Sequence, residues 1–142
     1  MFDAGKQFSF EAAHELVSAK ESPLCTQLHG HSYKVMISVS VEVLNSEGMV
    51  LDFHVLSRIV KPFLMDFDHT IITPQDLEKH SVAAPANPTA ENIALAIWNY
   101  TSKRLINWIE ESGDDLERFN RLTVVVQETE TCRAACSKEL VN

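Results

Sequence analysis

Between His31 and Val43 the chain alternates with a period of two. Tyr33, Val35, Ile37, Val39, Val41 and Val43 are apolar, while Ser32, Lys34, Ser38, Ser40 and Glu42 occupy intervening positions. Successive side chains of an extended strand leave opposite faces, so this pattern specifies a strand with one buried and one wet face. Such a strand belongs to an antiparallel sheet covered on one side only, and the remaining segments have to supply that sheet and its cover.

A second extended segment runs from about Lys6 to His14, with Phe8, Phe10, Ala12 and His14 on one face. After the long strand, Asn45, Ser46, Glu47 and Gly48 supply a turn, and Met49 to Phe53 reads as a short returning strand of a hairpin. From about His54 the period becomes helical, with Leu56, Ile59, Val60, Phe63, Leu64 and Phe67 on one face and a bend expected at Pro62. Asp68 to Asn87 reads as an irregular loop, long enough to suggest a functional role. A second helix begins near Pro88 or Thr89, capped by Asn87 or Thr89, buries Ile93, Ile97, Tyr100, Leu105 and Trp108, and ends at Gly113. Strands over Leu122 to Glu128 and Arg133 to Val141 complete the order strand, strand, helix, helix, strand, strand. The expectation is an α+β fold with a four-stranded antiparallel sheet and two helices on one face.

Composition narrows the function. The 142 residues are expected to form one domain over 1–142. A formal charge of −8 opposes nucleic-acid binding, which depends on neutralising phosphates with Lys and Arg, yet leaves room for a locally basic pocket. No stretch approaches the roughly 20 apolar residues of a membrane span, and MFDAGKQFSF lacks the pattern of a signal peptide. Cys25, Cys132 and Cys136 are odd in number and unevenly spaced, which argues against a disulfide framework and for a reducing, cytoplasmic setting.

The chemistry concentrates in a few side chains. His29 and His31 are two apart at the start of a strand, so their rings share a face, and His14 lies on the apolar face of the preceding strand. Three neutral imidazoles with a fourth position free suit a catalytic zinc ion; three hydrogen-bonded core histidines are the plainer alternative. Cys25, four residues before His29, reads as a base or nucleophile, a fourth metal ligand or an inert thiol. Asp68 and His69 read as a proton-transfer pair or a polar helix end. Glu128 interrupts the apolar face carrying Leu122, Val124 and Val126, so the strand has either reached solvent there or holds a ligand with two matched donors.

Six segments carry a specific resemblance: FEAAH at 10–14, C-x-x-x-H-G-H at 25–31, LDF at 51–53, DH at 68–69, PTAEN at 88–92 and QET at 127–129. Together, in this order, they resemble the 6-pyruvoyl-tetrahydropterin synthase family, including its queuosine-pathway branch. The resemblance implies zinc on His14, His29 and His31, a catalytic thiol at Cys25, and proton transfer by Asp68 and His69. It implies that Glu128 grips the amino-pyrimidine edge of a pterin, with Thr89 and Glu91 near the same pocket. It also implies the tunnelling fold, in which subunits join sheets edge to edge, most often as hexamers with sites at subunit boundaries. That would cover exposed sheet edges. The short gap from Cys25 to His29 resembles the branch converting 7,8-dihydroneopterin triphosphate to 6-carboxy-5,6,7,8-tetrahydropterin, with acetaldehyde and triphosphate released. The alternatives are formation of 6-pyruvoyl-tetrahydropterin and, from another class, a non-catalytic protein in which zinc is structural. Glu15 departs from the arginine many members carry there, and Cys136 from a common aromatic residue.

Overall fold

The computed structural model describes residues 1–141. Its two long strands are β1 (Phe2–His14) and β2 (His29–Val41), joined through a 3-10 turn at Pro23–Thr26. Then follow α1 (Phe53–Phe67), β3 (Thr70–Ile71), α2 (Pro74–Glu78), α3 (Ala90–Ser112), a 3-10 turn at Leu116–Arg118, β4 (Phe119–Gln127) and β5 (Arg133–Glu139). The sheet order is β3-β1-β2-β4-β5. α1 lies against β1, and α3 against β4 and β5.

The expected four-stranded antiparallel sheet is corrected by this topology. There are five strands, and β3 runs parallel to β1, pairing Thr70 with Ala12 and Ile71 with Ala13. Two residues are too few to carry a period, so tertiary contact defines β3: the His69 N–H donates to Glu11 O at 2.6 Å, and Ile72 N–H to Ala13 O at 2.8 Å. A parallel return is possible because α1 carries the chain back across the sheet first.

The expected hairpin is absent as well. Asn45 Oδ1 accepts from the N–H groups of Glu47 and Met49, which folds the segment into a closed turn. Val50 and Leu51 are both buried, although neighbours in a strand point oppositely. Asp52 then caps α1 by accepting from His54 N–H at 2.8 Å. The segment 68–87 is also more ordered than an irregular loop, since Thr73 and Asp76 close a capping box over α2, a third helix.

The long alternation holds as far as Val41, where β2 ends; Val43, expected on the apolar face, lies beyond it and is exposed. Tyr33, Val35, Ile37, Val39 and Val41 are fully buried. They face Phe10, Phe8 and their neighbours on β1 and Val126, Val124 and Leu122 on β4. Thr89 caps α3 by accepting from Asn92 N–H at 3.2 Å, and Gly113 ends it in the left-handed region at φ 76°. Among the described residues, no helix is long and apolar enough to cross a membrane.

Candidate metal centre

β1 and β2 pair with His14 opposite His29 and Ala12 opposite His31, so alternation brings all three imidazoles to the helix-covered face at one end of the sheet. His14 is buried, and His29 and His31 are half-buried. His14 Nε2 lies 3.0 Å from His29 Nε2 and 3.1 Å from His31 Nε2. The three rings meet edge-on, with centroids 4.5, 5.0 and 4.9 Å apart.

The protons on these rings can be assigned from their other contacts. His14 Nδ1 lies 2.7 Å from Pro88 O, and His29 Nδ1 lies 2.7 Å from Gln27 O. A carbonyl only accepts, so in both rings Nδ1 carries the proton and Nε2 presents a bare lone pair. Two bare nitrogens 3.0 Å apart share no proton and repel each other. A cation between them removes the conflict, and ligands at ~2.0–2.1 Å around a tetrahedral ion are themselves about 3.3 Å apart. The carbonyl partners are also the outer contacts that fix the tautomer of metal-binding histidines. The triad therefore fits a metal ion and is a cluster able to hold one.

The surroundings are protic. Tyr33 O–H lies 3.2 Å from His14 Nδ1, and burial first and the Glu128 carboxylate second raise its phenol above the ordinary range. Burial, then the neighbouring His14 and His29, lower the pKa of His31. Glu128 Oε1 stands 3.9 Å from His14 Nε2. Burial raises its pKa, Glu91 adds to the rise, and His14 and His29 oppose it. A half-buried carboxylate thus sits where β4 ends, beside the triad, rather than in open solvent.

The remaining expected residues fall in three places. Thr89 and Glu91 lie at the start of α3, next to the Pro88 carbonyl that holds His14. Cys25, half-buried, sits in the 3-10 turn between β1 and β2 and is outside the ligand cluster. Asp68 accepts from Glu11 N–H at 2.8 Å, and its carboxylate lies 3.7 Å from His69 Nε2. His69, at φ 59°, lines a cavity of about 490 Å³ with Glu11, Gly30 and Ser32. The Gly30 and Ser32 positions face the side of the sheet opposite His29 and His31, while His31 also borders this cavity. Gly30 serves that face, where an added Cβ would meet only Ala12 O, at 3.6 Å.

Tyr33 and the Pro88 carbonyl join the site without having been singled out from the sequence. Period two from His31 was the available signal for Tyr33, whereas a backbone carbonyl leaves none.

A two-layer α+β chain with an open imidazole triad beside a half-buried carboxylate has the makings of a metal-dependent enzyme. The profile of the family described as 6-pyruvoyl tetrahydropterin synthase matches residues 4–139, and the chain belongs to that family. It is similar to the 6-carboxy-5,6,7,8-tetrahydropterin synthase of Haemophilus influenzae, 36% identical over 116 residues, covering 70% of this chain and 81% of the relative. The protein of the same description from Aquifex aeolicus is 30% identical over 165 residues, covering 97% and 99%. Among solved structures, the fold resembles 6-pyruvoyl tetrahydropterin synthase from Plasmodium falciparum, with TM-score 0.73, 19% identity and coverage of 96% and 98%. That from Caenorhabditis elegans gives 0.65, 24%, and 97% and 96%.

Proposed function

We propose that this chain converts 7,8-dihydroneopterin triphosphate to 6-carboxy-5,6,7,8-tetrahydropterin, releasing acetaldehyde and triphosphate, with zinc held by His14, His29 and His31. The observation that carries the reading is the pair of bare Nε2 atoms of His14 and His29 at 3.0 Å, with His31 completing an open three-nitrogen site. The product is supported by two relatives described as 6-carboxy-5,6,7,8-tetrahydropterin synthases. An all-nitrogen donor set with one position left for substrate suits zinc.

Zinc, when bound, supplies Lewis acidity toward the oxygens of the substrate side chain. Glu128 accepts paired hydrogen bonds from the amino-pyrimidine edge of the pterin and sets its orientation. Thr89 and Glu91 border the same pocket from the start of α3. Cys25, as thiolate, removes a proton from the substrate side chain. Asp68 orients His69, which moves protons on the other side of the substrate. His69 shares a cavity with His31, and edge-to-edge assembly would place a neighbouring subunit beside it. A hexamer working in the cytoplasm is the form proposed for the whole protein.

The test is to incubate zinc-loaded protein with dihydroneopterin triphosphate, assay acetaldehyde and weigh the pterin product. Acetaldehyde with the carboxy product supports the proposal. Triphosphate release without acetaldehyde assigns the pyruvoyl product instead, and zinc binding without turnover assigns a structural metal.

A further inference from the structure

The segment that carries Cys25 is weakly tied to the rest of the molecule. Residues 15–28 contain no strand or α-helix, and the 3-10 turn Pro23–Thr26 buries none of its residues. Val17, Leu24 and Leu28 are exposed. Most hydrogen bonds within the segment are local, as between Ser22 N–H and Ala19 O or Gln27 N–H and Leu24 O. Apart from its junctions with β1 and β2, it makes one hydrogen bond to the body of the protein among the described residues. The Val17 N–H donates to Asn87 Oδ1 at 2.9 Å.

That bond sits one residue from the thiol loop's own clasp. Leu16 N–H donates to Cys25 O at 2.9 Å, so whatever holds Leu16 and Val17 also holds the Cys25 backbone. Asn87 is itself held from behind. Its carbonyl accepts from Thr89 N–H at 2.8 Å and from the Asn92 side-chain amide at 2.8 Å. The next residue, Pro88, gives its carbonyl to His14. Two adjacent residues thus contact the metal ligand on one side and the thiol loop on the other. Asn92, in the PTAEN segment, otherwise has no part in the chemistry.

We propose that Asn87 is a positioning residue for Cys25, joining the thiol loop to the start of α3 through Val17 N–H, with Asn92 holding Asn87 in place. The consequence for catalysis rests on the reading of Cys25 as the base. The bracing itself does not.

The experiment compares zinc-loaded wild type with Asn87→Ala, which removes the acceptor, and Asn87→Asp, which keeps one. Amide exchange should rise at least about tenfold at Leu16, Val17 and Cys25 in Asn87→Ala, since a loop held by few bonds opens locally. The alkylation rate of Cys25 should change by about threefold or more, because thiol access follows the loop. The kcat should fall about tenfold with KM within about twofold, the split expected when the reacting group rather than binding is disturbed. Asn87→Asp should return all three readouts to within about twofold of wild type, as a carboxylate oxygen also accepts from N–H. Val17→Pro deletes the donor at an exposed position and should reproduce Asn87→Ala if the latter folds poorly.

Unchanged exchange and alkylation in Asn87→Ala and Val17→Pro would overturn the proposal. So would loss of zinc from Asn87→Ala, which would make the segment a metal brace. If Cys25→Ala turns over fully while exchange rises as expected, the base assignment fails and the brace stands.

Discussion

Adding zinc to the metal-free protein should raise its melting temperature through the triad alone. Without an ion, the structure holds two bare imidazole nitrogens at 3.0 Å in a partly buried site. The folded state therefore gains from a cation in a way the unfolded chain does not. At free zinc 100-fold above Kd the gain is ~2.7 kcal/mol. For a domain of this length each kcal/mol moves Tm by about 4 °C, so the shift is roughly 10 °C. The assay is calorimetry on chelator-stripped protein, titrated with zinc. His29→Ala is the informative variant, because the ring is half-buried and its loss opens no core cavity. It should abolish the shift while leaving the metal-free Tm within about 2 °C of wild type, an exposed-type substitution being worth ~0.5 kcal/mol. The shift should also shrink on acidification, since protons compete with the metal for the same nitrogens. A full-size shift in His29→Ala, or no shift in wild type, would refute the triad as the metal site.

Four further outcomes follow from other parts of the structure. Glu128→Gln should keep zinc and the melting temperature but lower kcat/KM by about 10- to 100-fold, the worth of a charged hydrogen bond to substrate, measured by steady-state kinetics. Arg118 donates to Val43 O at 3.2 Å, to Val50 O at 3.0 Å and to the Asp114 carboxylate, so Arg118→Ala should cost about 2 kcal/mol in denaturant unfolding. The Arg118 hydrogen bond holds Asp114 below the usual carboxylate range. Its stabilisation is thus present above the unfolded pKa near 3.9 and fades as pH falls through the lower folded value. The stability gap between wild type and Asp114→Asn should close on acidification over that window. Ile97→Ala, at a fully buried position, should cost ~2–5 kcal/mol in the same assay.

Much of this architecture was legible because burial and period coincide. The alternation after His31, the helical spacing after His54 and the cap at Thr89 each encode their element locally. β3 was not legible, since Thr70 and Ile71 become a strand only by lying beside Ala12 and Ala13. Met49 to Phe53 misled because Asp52 is a helix cap, a role that outweighs apolar alternation over five residues. In the site, the three histidines were readable from period two and strand pairing, and Glu128 from its break in an apolar face. The contacts that make the histidines bare toward one another come from Pro88 and Gln27 carbonyls, which every residue possesses and no side chain announces. The cavity that His69 shares with His31 depends on where β3 docks, and so it too was hidden.

The most direct test of the account is acetaldehyde formation from dihydroneopterin triphosphate as stripped protein is titrated with zinc. Turnover should rise with metal and level off at one zinc per chain, with His29→Ala inactive throughout. Full turnover by the stripped protein, or a zinc-saturated protein that releases no acetaldehyde, would contradict it.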